Sequence, residues 1–420
     1  MKKIVEESSR ETLNILYAVP EYVPAFNIGG PVISLSAVAE NLVNRGHKVI
    51  VYTTNSNGVD DLDVPLNQPV MVNGVEVWYF PRFEIIKKIF PFWKYFSQSV
   101  GYRYSPGLAR KVRLTLTNFD LVHTQAIWAF PSLIAGRKAI QSSIPLFIHQ
   151  RGELHPARLD YRSLKKRVYL ELFVRPILDR ATMLFALNSA EEKNFQNLNF
   201  TRPCRVIPNG INVEEFTQKP DQKDLDKYSI QPEQFILLFM GRMHTFKGAD
   251  LLVQAFLNHA GKYPDSVLIM AGPDEQGFTS NLVELVSDHN LENRVLFPGM
   301  VSGKFKKSLL ARANLFCLPS IGEGFSMALL ESMASGTPVM ITPGCNFPEI
   351  KEHKAGFITE RSLDAWTDEL DRILKNPEQL PDLGLNAFNL VKKYYTWDKV
   401  ADLIEQAYND GVGHSSRDKK

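Results

Sequence analysis

The sequence predicts an α/β protein made of two doubly wound parallel-sheet domains that face a central cleft. Three observations predict it. Short apolar runs alternate with helix-periodic segments from end to end, the pattern of a parallel sheet covered by helices on both faces. A polar, charged stretch at 218–233, carrying Pro220 and Pro232, divides that alternation into two series and reads as a linker or long surface loop. The 420 residues are enough for two or three domains of ordinary size.

The elements follow in order. Residues 13–19 read as a buried strand; Val32, Leu35, Val38 and Leu42 then recur at helical spacing until Gly46 stops the helix. Strands are expected at 48–52, 120–123, 145–149 and 183–187. The second series runs strand 235–240, helix 248–256, strand 267–271, helix 281–289, strand 294–297, helix 303–313, strand 315–318, helix 327–334 and strand 338–341. An amphipathic helix near 397–408 ends the pattern. The domains expected are therefore 1–203 and 204–395, with a last helix at 396–412 and a polar, disordered tail over 413–420.

Composition narrows the function. A net charge of +2 supplies no global field toward nucleic acid. Cys204, Cys317 and Cys345 are unclustered, so they form neither a disulfide framework nor a metal site and fit a reducing cytosol. No apolar run is long enough to span a bilayer, and the polar N-terminus has no apolar signal core. A cytoplasmic location is expected, in which the Asn199-Phe200-Thr201 sequon has no meaning.

In an open parallel sheet, ligands bind beyond the carboxyl ends of the strands, so chemistry should sit just after them. Gly29-Gly30-Pro31 opens the first helix, where glycine permits close backbone approach and helix amides attract anions; an ordinary tight turn would look the same. Gly241-Arg242-Met243-His244-Thr245-Phe246-Lys247-Gly248 places two cations and two glycines at a strand-to-helix junction, with a planar fork and a point charge suited to a diphosphate. His149 ends its strand before Gln150-Arg151-Gly152, placed either to touch a substrate or to be satisfied by backbone. His123 reads as structural. Glu323 lies in a glycine-containing turn and Glu331 on an otherwise apolar helix; such carboxylates are costly without partners, and a polyhydroxylated ligand would supply them. The Asp-Leu-Asp triplets at 61–63 and 224–226 read as surface charge, and no metal is expected.

Two basic segments stand out. The charges of 158–180 read as a solvated helix face sharing its helix with Leu164, Val168, Leu172 and Pro176. Residues 82–113 carry eight cations against Glu84 alone, interleaved with aromatic and aliphatic side chains. This suits either an anionic membrane surface or a helix packed on the first domain. No RNA-binding motif accompanies it.

Taken together, these motifs resemble the retaining glycosyltransferases of family 4, also called group 1, which have the GT-B fold. The resemblance rests on Phe239-Met240-Gly241-Arg242 with Phe246-Lys247-Gly248-Ala249-Asp250, on Val206-Ile207-Pro208-Asn209-Gly210-Ile211, on Ala271-Gly272-Pro273 and Phe297-Pro298-Gly299, on Glu323 spaced from Glu331, and on Tyr395-Thr396-Trp397. It implies that Arg242 and Lys247 bind the diphosphate of a nucleotide-sugar donor, UDP- or GDP-linked, and that Glu331 accepts from ribose hydroxyls. Glu323 would face the transferred sugar beside the backbone amides of Gly324, Phe325 and Ser326, and Met300 and Val301 would touch the base. Gly29 and Gly30 would approach the diphosphate, and His149 the donor sugar. Gln125 stands where relatives often carry a second histidine. The resemblance also implies that the last helix packs back on the first domain, and a metal-independent transfer with no cofactor beyond the donor. The acceptor would be a glycan or lipid-linked glycan of bacterial surface or exopolysaccharide assembly, with peripheral attachment at the inner face of the plasma membrane. A nucleotide-sugar epimerase of the same fold and a non-catalytic sugar-nucleotide binding protein are the alternatives.

Overall fold

The computed structural model describes residues 12–83, 102–156, 159, 163–228, 230–274 and 277–417. The chain forms two compact units, one of Met1–Ile207 with Ala401–Lys420 and one of Pro208–Val400.

The first unit holds an eight-stranded sheet. Its strands are β1 (Asn14–Ala18), β2 (Lys48–Thr54), β3 (Pro69–Val72), β4 (Val75–Phe80), β5 (Leu121–Gln125), β6 (Leu146–His149), β7 (Met183–Ala186) and β8 (Cys204–Val206). Their order is β8-β7-β6-β5-β1-β2-β4-β3. All neighbours are parallel except β3, which pairs antiparallel with β4 at the edge. Buried Ile15, Leu16, Tyr17 and Ala18 make β1 a central strand. The β3–β4 hairpin, β8 and the helices Leu363–Lys375 and Leu380–Tyr394 add to the elements read from the sequence. Asn73 and Gly74 both take positive φ at the hairpin turn, the backbone a two-residue hairpin needs.

The last helix, Trp397–Arg417, contributes Ala401, Ile404, Ala407 and Tyr408 as buried residues. It is tied to the first unit by Arg45, whose guanidinium reaches Asp402 at 2.7 Å and Glu405 at 2.9 Å, and by His47, 3.2 Å from Glu405. The helix does not stop at 412, so the polar, disordered tail expected over 413–420 is corrected: helix continues to Arg417, and 418–420 lie outside the described residues. Gly411 is there for space, because a Cβ would press on the ring of Phe147 and the methyl of Thr182.

The second unit has six parallel strands: β9 (Phe235–Met240), β10 (Ser266–Ala271), β11 (Val295–Gly299), β12 (Leu315–Leu318), β13 (Val339–Ile341) and β14 (Gly356–Ile358). Their order is β11-β10-β9-β12-β13-β14, the doubly wound order of a dinucleotide-type fold. The chain reverses its winding between β9 and β12, and there the strand ends diverge and leave a crevice. The polar stretch 218–233 is not a linker. It holds a short helix, Gln222–Asp226, and buries Leu225 and Ile230 in the core of this unit.

Candidate functional site

Two loops leave the switch point of the second unit. The loop after β9 carries Arg242 and Lys247, and the loop after β12 carries Glu323. Glycines hold the neighbouring backbones close. Gly272 (φ 147°) lies so near Gly241 that a Cβ would overlap the Gly241 carbonyl oxygen, and Gly248 (φ 74°) approaches the Pro319 carbonyl in the same way. Gly248 caps the helix Ala249–Ala260 in the left-handed conformation, which only glycine adopts without strain. Buried Met243 anchors the first loop, and its N–H donates to the Pro273 carbonyl at 3.0 Å.

This packing brings together two residues 76 positions apart. The Lys247 ammonium donates to both oxygens of Glu323, at 2.6 and 2.7 Å. The side chains are 20% and 7% exposed, so the pair is shielded without being sealed. The Glu323 backbone is fixed as well: its N–H donates to Gly344 O at 2.9 Å, and its carbonyl accepts from Asn346 Nδ2 at 2.9 Å. Arg242 lies exposed on the same loop as Lys247.

Downstream, Ser326 caps the helix Met327–Ala334, its hydroxyl accepting from Leu329 N at 3.3 Å. Phe325 packs its ring against Phe347 and Tyr395, centroids 5.6 and 5.9 Å away. Its side chain therefore belongs to the core, and Gly324, Phe325 and Ser326 can offer a ligand chiefly their backbone. Glu331, on that helix, accepts from Lys306 Nζ at 2.7 Å. Burial pushes its carboxyl above the ordinary range, while Lys306 pulls the other way. Met300 is exposed and Val301 half-buried in the loop after β11.

The first unit gathers its own polar set at the ends of β1, β5 and β6. Gly29 (φ 86°) precedes the helix Gly30–Asn44 and has open space where a Cβ would stand. His149 is buried, its Nε2 without a hydrogen-bond partner. Burial first, then Arg151 and His123, holds its imidazole well below the usual range. His123 is pushed down to about 3, by burial and then Arg151. Both rings are thus neutral at pH 7, and a neutral imidazole offers one N–H and one lone pair. His123 Nδ1 lies 2.5 Å from the Tyr408 hydroxyl, itself 3.0 Å from the Tyr17 hydroxyl. Burial raises both phenols, so they remain protonated. Gln125 accepts from Arg151 Nε at 3.0 Å. Of the acidic triplets, Asp61 accepts from Arg82 Nε at 2.5 Å.

Lys306 and Tyr408 are polar groups that the sequence did not single out, and the contact between Arg151 and Gln125 is a pairing that it did not show. Tyr408 occupies an apolar position of an amphipathic helix, and Lys306 is one lysine among several on its helix. Neither carries a local signal.

The chain matches known proteins over nearly its full length. Residues 28–215 match the sequence profile described as Glycosyltransferase Family 4, and residues 220–390 match Glycosyl transferases group 1. It is 25% identical over 401 residues to the uncharacterized glycosyltransferase MJ1607 of Methanocaldococcus jannaschii, covering 92% of this chain and 96% of that one. It is 23% identical over 352 residues to the UDP-Gal:alpha-D-GlcNAc-diphosphoundecaprenol alpha-1,3-galactosyltransferase of Escherichia coli, covering 76% and 87%. In structure it resembles Anabaena Alr3699/HepE, solved in complex with UDP and glucose, with a TM-score of 0.70, 19% identity and coverage of 95% and 100%. With a doubly wound switch-point site of this form and both halves matched in order, the chain belongs to the group 1, family 4 glycosyltransferases and has their GT-B fold.

Proposed function

We propose that this protein transfers a hexose from a UDP- or GDP-linked donor to a glycan or lipid-linked glycan acceptor, with retention of configuration and without a metal, in bacterial surface or exopolysaccharide assembly. The Lys247–Glu323 pair at the switch point carries the proposal. When a nucleoside diphosphate departs, negative charge grows on its phosphate oxygens, and preorganised cations stabilise it. Arg242 and Lys247 supply that charge in this reading, with the amides of Gly324, Phe325 and Ser326 at a helix start. Glu331 receives the ribose and Met300 and Val301 flank the base. Gly29, Gly30 and His149 are the first unit's share of the substrate contacts. Both oxygens of Glu323 are engaged by Lys247, which favours a positioning role over that of a nucleophile. The departing phosphate would then take the acceptor's proton as the acceptor attacks from the same face.

Incubation with UDP- and GDP-sugars tests this. Nucleoside diphosphate should be released only when a glycan acceptor is present. Epimerised free donor would replace the transferase by an epimerase, and donor binding without turnover on any acceptor would make it a binding protein.

A lipid-linked acceptor gains support from the first unit's surface and from the diphosphoundecaprenol substrate in the name of the E. coli relative. Most of the basic aromatic segment at 82–113 lies outside the described residues, but its flanks Phe83, Tyr102 and Tyr104 are exposed. The Tyr102 ring lies 6.4 Å from that of Tyr169, and Tyr169 lies 5.1 Å from Phe173. On the helical stretch bearing those two, Leu170 and Val174 turn inward, while Leu164, Val168 and Leu172 face outward, 74%, 50% and 63% exposed. The apolar residues that share this helix with the charges therefore form an exposed row among the cations. An anionic bilayer fits such a face. No described helix is long and apolar enough to cross a membrane. The protein should co-float with phosphatidylglycerol vesicles at low salt, and replacing Leu164, Val168 and Leu172 together by glutamate should cut the bound fraction about tenfold. Unchanged flotation of that variant would remove this face from the proposal.

A further inference from the structure

Glu331 is asked to act as an ionised acceptor from a half-buried position, where burial favours the neutral acid. The structure shows what opposes that tendency. Lys306 stands on the first turn of the helix Gly303–Arg312, its N–H 3.3 Å from Ser302 O. Its ammonium lies 2.7 Å from Glu331 Oε1, with side-chain exposures of 26% and 14%. Two other charged groups face the same carboxylate. Lys307, from the same helix, is engaged by Glu215 Oε2 at 3.2 Å; Glu215, from the short turn Val213–Phe216, acts on Glu331 as a like charge. The two act in opposite directions, Glu215 the more strongly, which leaves Lys306 as the direct counter-charge. The Glu331 main chain is held as well, its carbonyl accepting from the Ser335 N–H at 3.1 Å and hydroxyl at 2.9 Å.

We infer that Lys306 is a positioning residue for nucleotide binding: it grips one oxygen of Glu331, keeps that carboxylate ionised, and so fixes the plane in which it accepts hydrogen bonds from a vicinal ribose diol. This rests on the reading above that Glu331 meets the ribose. An ionised carboxylate accepts from both hydroxyls of a diol, whereas the neutral acid must spend one oxygen as a donor. Lys306 thus acts through Glu331 and not by touching the ligand.

Calorimetric titration of the full chain with uridine, guanosine and adenosine 5′-diphosphates, which share the ribose, tests it from about pH 6 to about pH 9. Affinities are taken as ratios to the unmodified protein at each pH, which cancels the ligand's own titration. Lys306→Met should bind about tenfold more weakly at the acid end and recover as pH rises, because loss of the cation leaves Glu331 protonated until higher pH. Lys306→Arg should stay within about threefold throughout. A loss that is equal at every pH would make Lys306 a direct ligand contact and overturn the inference, and so would no loss at all. Glu331→Gln separates the two layers. If it weakens binding while Lys306→Met does not, the role of Lys306 alone fails; if it changes nothing, or if none of the three nucleotides binds, the ribose assignment fails with it.

Discussion

Replacing Lys247 with alanine should lower kcat by about two to three orders of magnitude, the loss typical of removing one preorganised charged group from a developing anion. The lysine sits where the helix Ala249–Ala260 begins, one residue before the left-handed Gly248, so its ammonium is placed by backbone that the substitution leaves alone. Stability is affected too. Lys247→Ala strands the Glu323 carboxylate, which is only 7% exposed, and an unpaired buried charge is expensive. The partial exposure of the lysine places the cost at about 1–3 kcal/mol. The double variant Lys247→Ala/Glu323→Gln should regain most of that stability and none of the activity, because it removes the stranded charge without restoring the cation. Steady-state turnover and denaturant unfolding of the three proteins make the comparison. Turnover of Lys247→Ala within about threefold of the unmodified protein would remove the diphosphate assignment.

The second large effect is expected from Glu323→Gln. The amide keeps the shape of the side chain but releases Lys247 from its bidentate grip. Affinity for a nucleoside diphosphate lacking the sugar should hold or improve by about threefold, since the phosphate no longer competes with a carboxylate for the ammonium. Turnover should nevertheless fall by about 100-fold, because in the proposed reading it is the carboxylate that faces the transferring sugar. Binding and turnover thus move in opposite directions. A variant whose kcat persists while nucleoside diphosphate binding falls about tenfold would instead make Glu323 a nucleotide ligand.

Much of this site is legible one segment at a time. A cation pair between glycines after an apolar strand, as in Gly241–Gly248, announces itself locally because backbone approach and helix-end polarity are properties of a short stretch of chain. Glu331 stands out because a carboxylate interrupts an apolar helix face. The β3–β4 hairpin also carries a local signal, Asn73-Gly74 between alternating apolar residues. Leu164, Val168 and Leu172 show the limit of periodicity: their spacing says that one helix face is apolar, but not whether the fold covers it. The short helix at Gln222–Asp226 shows the same limit from the other side, since a mostly polar stretch looks like a linker until Leu225 and Ile230 are seen to be buried.

By itself the sequence determined the alternating α/β character of both units, the strands and helices that frame the site, and the residue types available for binding a diphosphate and a ribose. Only the tertiary structure decided the order β11-β10-β9-β12-β13-β14, and with it which two loops share a switch point. It decided that Lys247 closes on Glu323, that Lys306 closes on Glu331, and that Tyr408 from the last helix reaches His123. The division has a physical cause. Helix and strand patterns follow from repeats of a few residues, which the chain displays locally. Hydrogen bonds across 76, 25 and 285 positions depend on where the sheet places distant loops, and no local repeat encodes that.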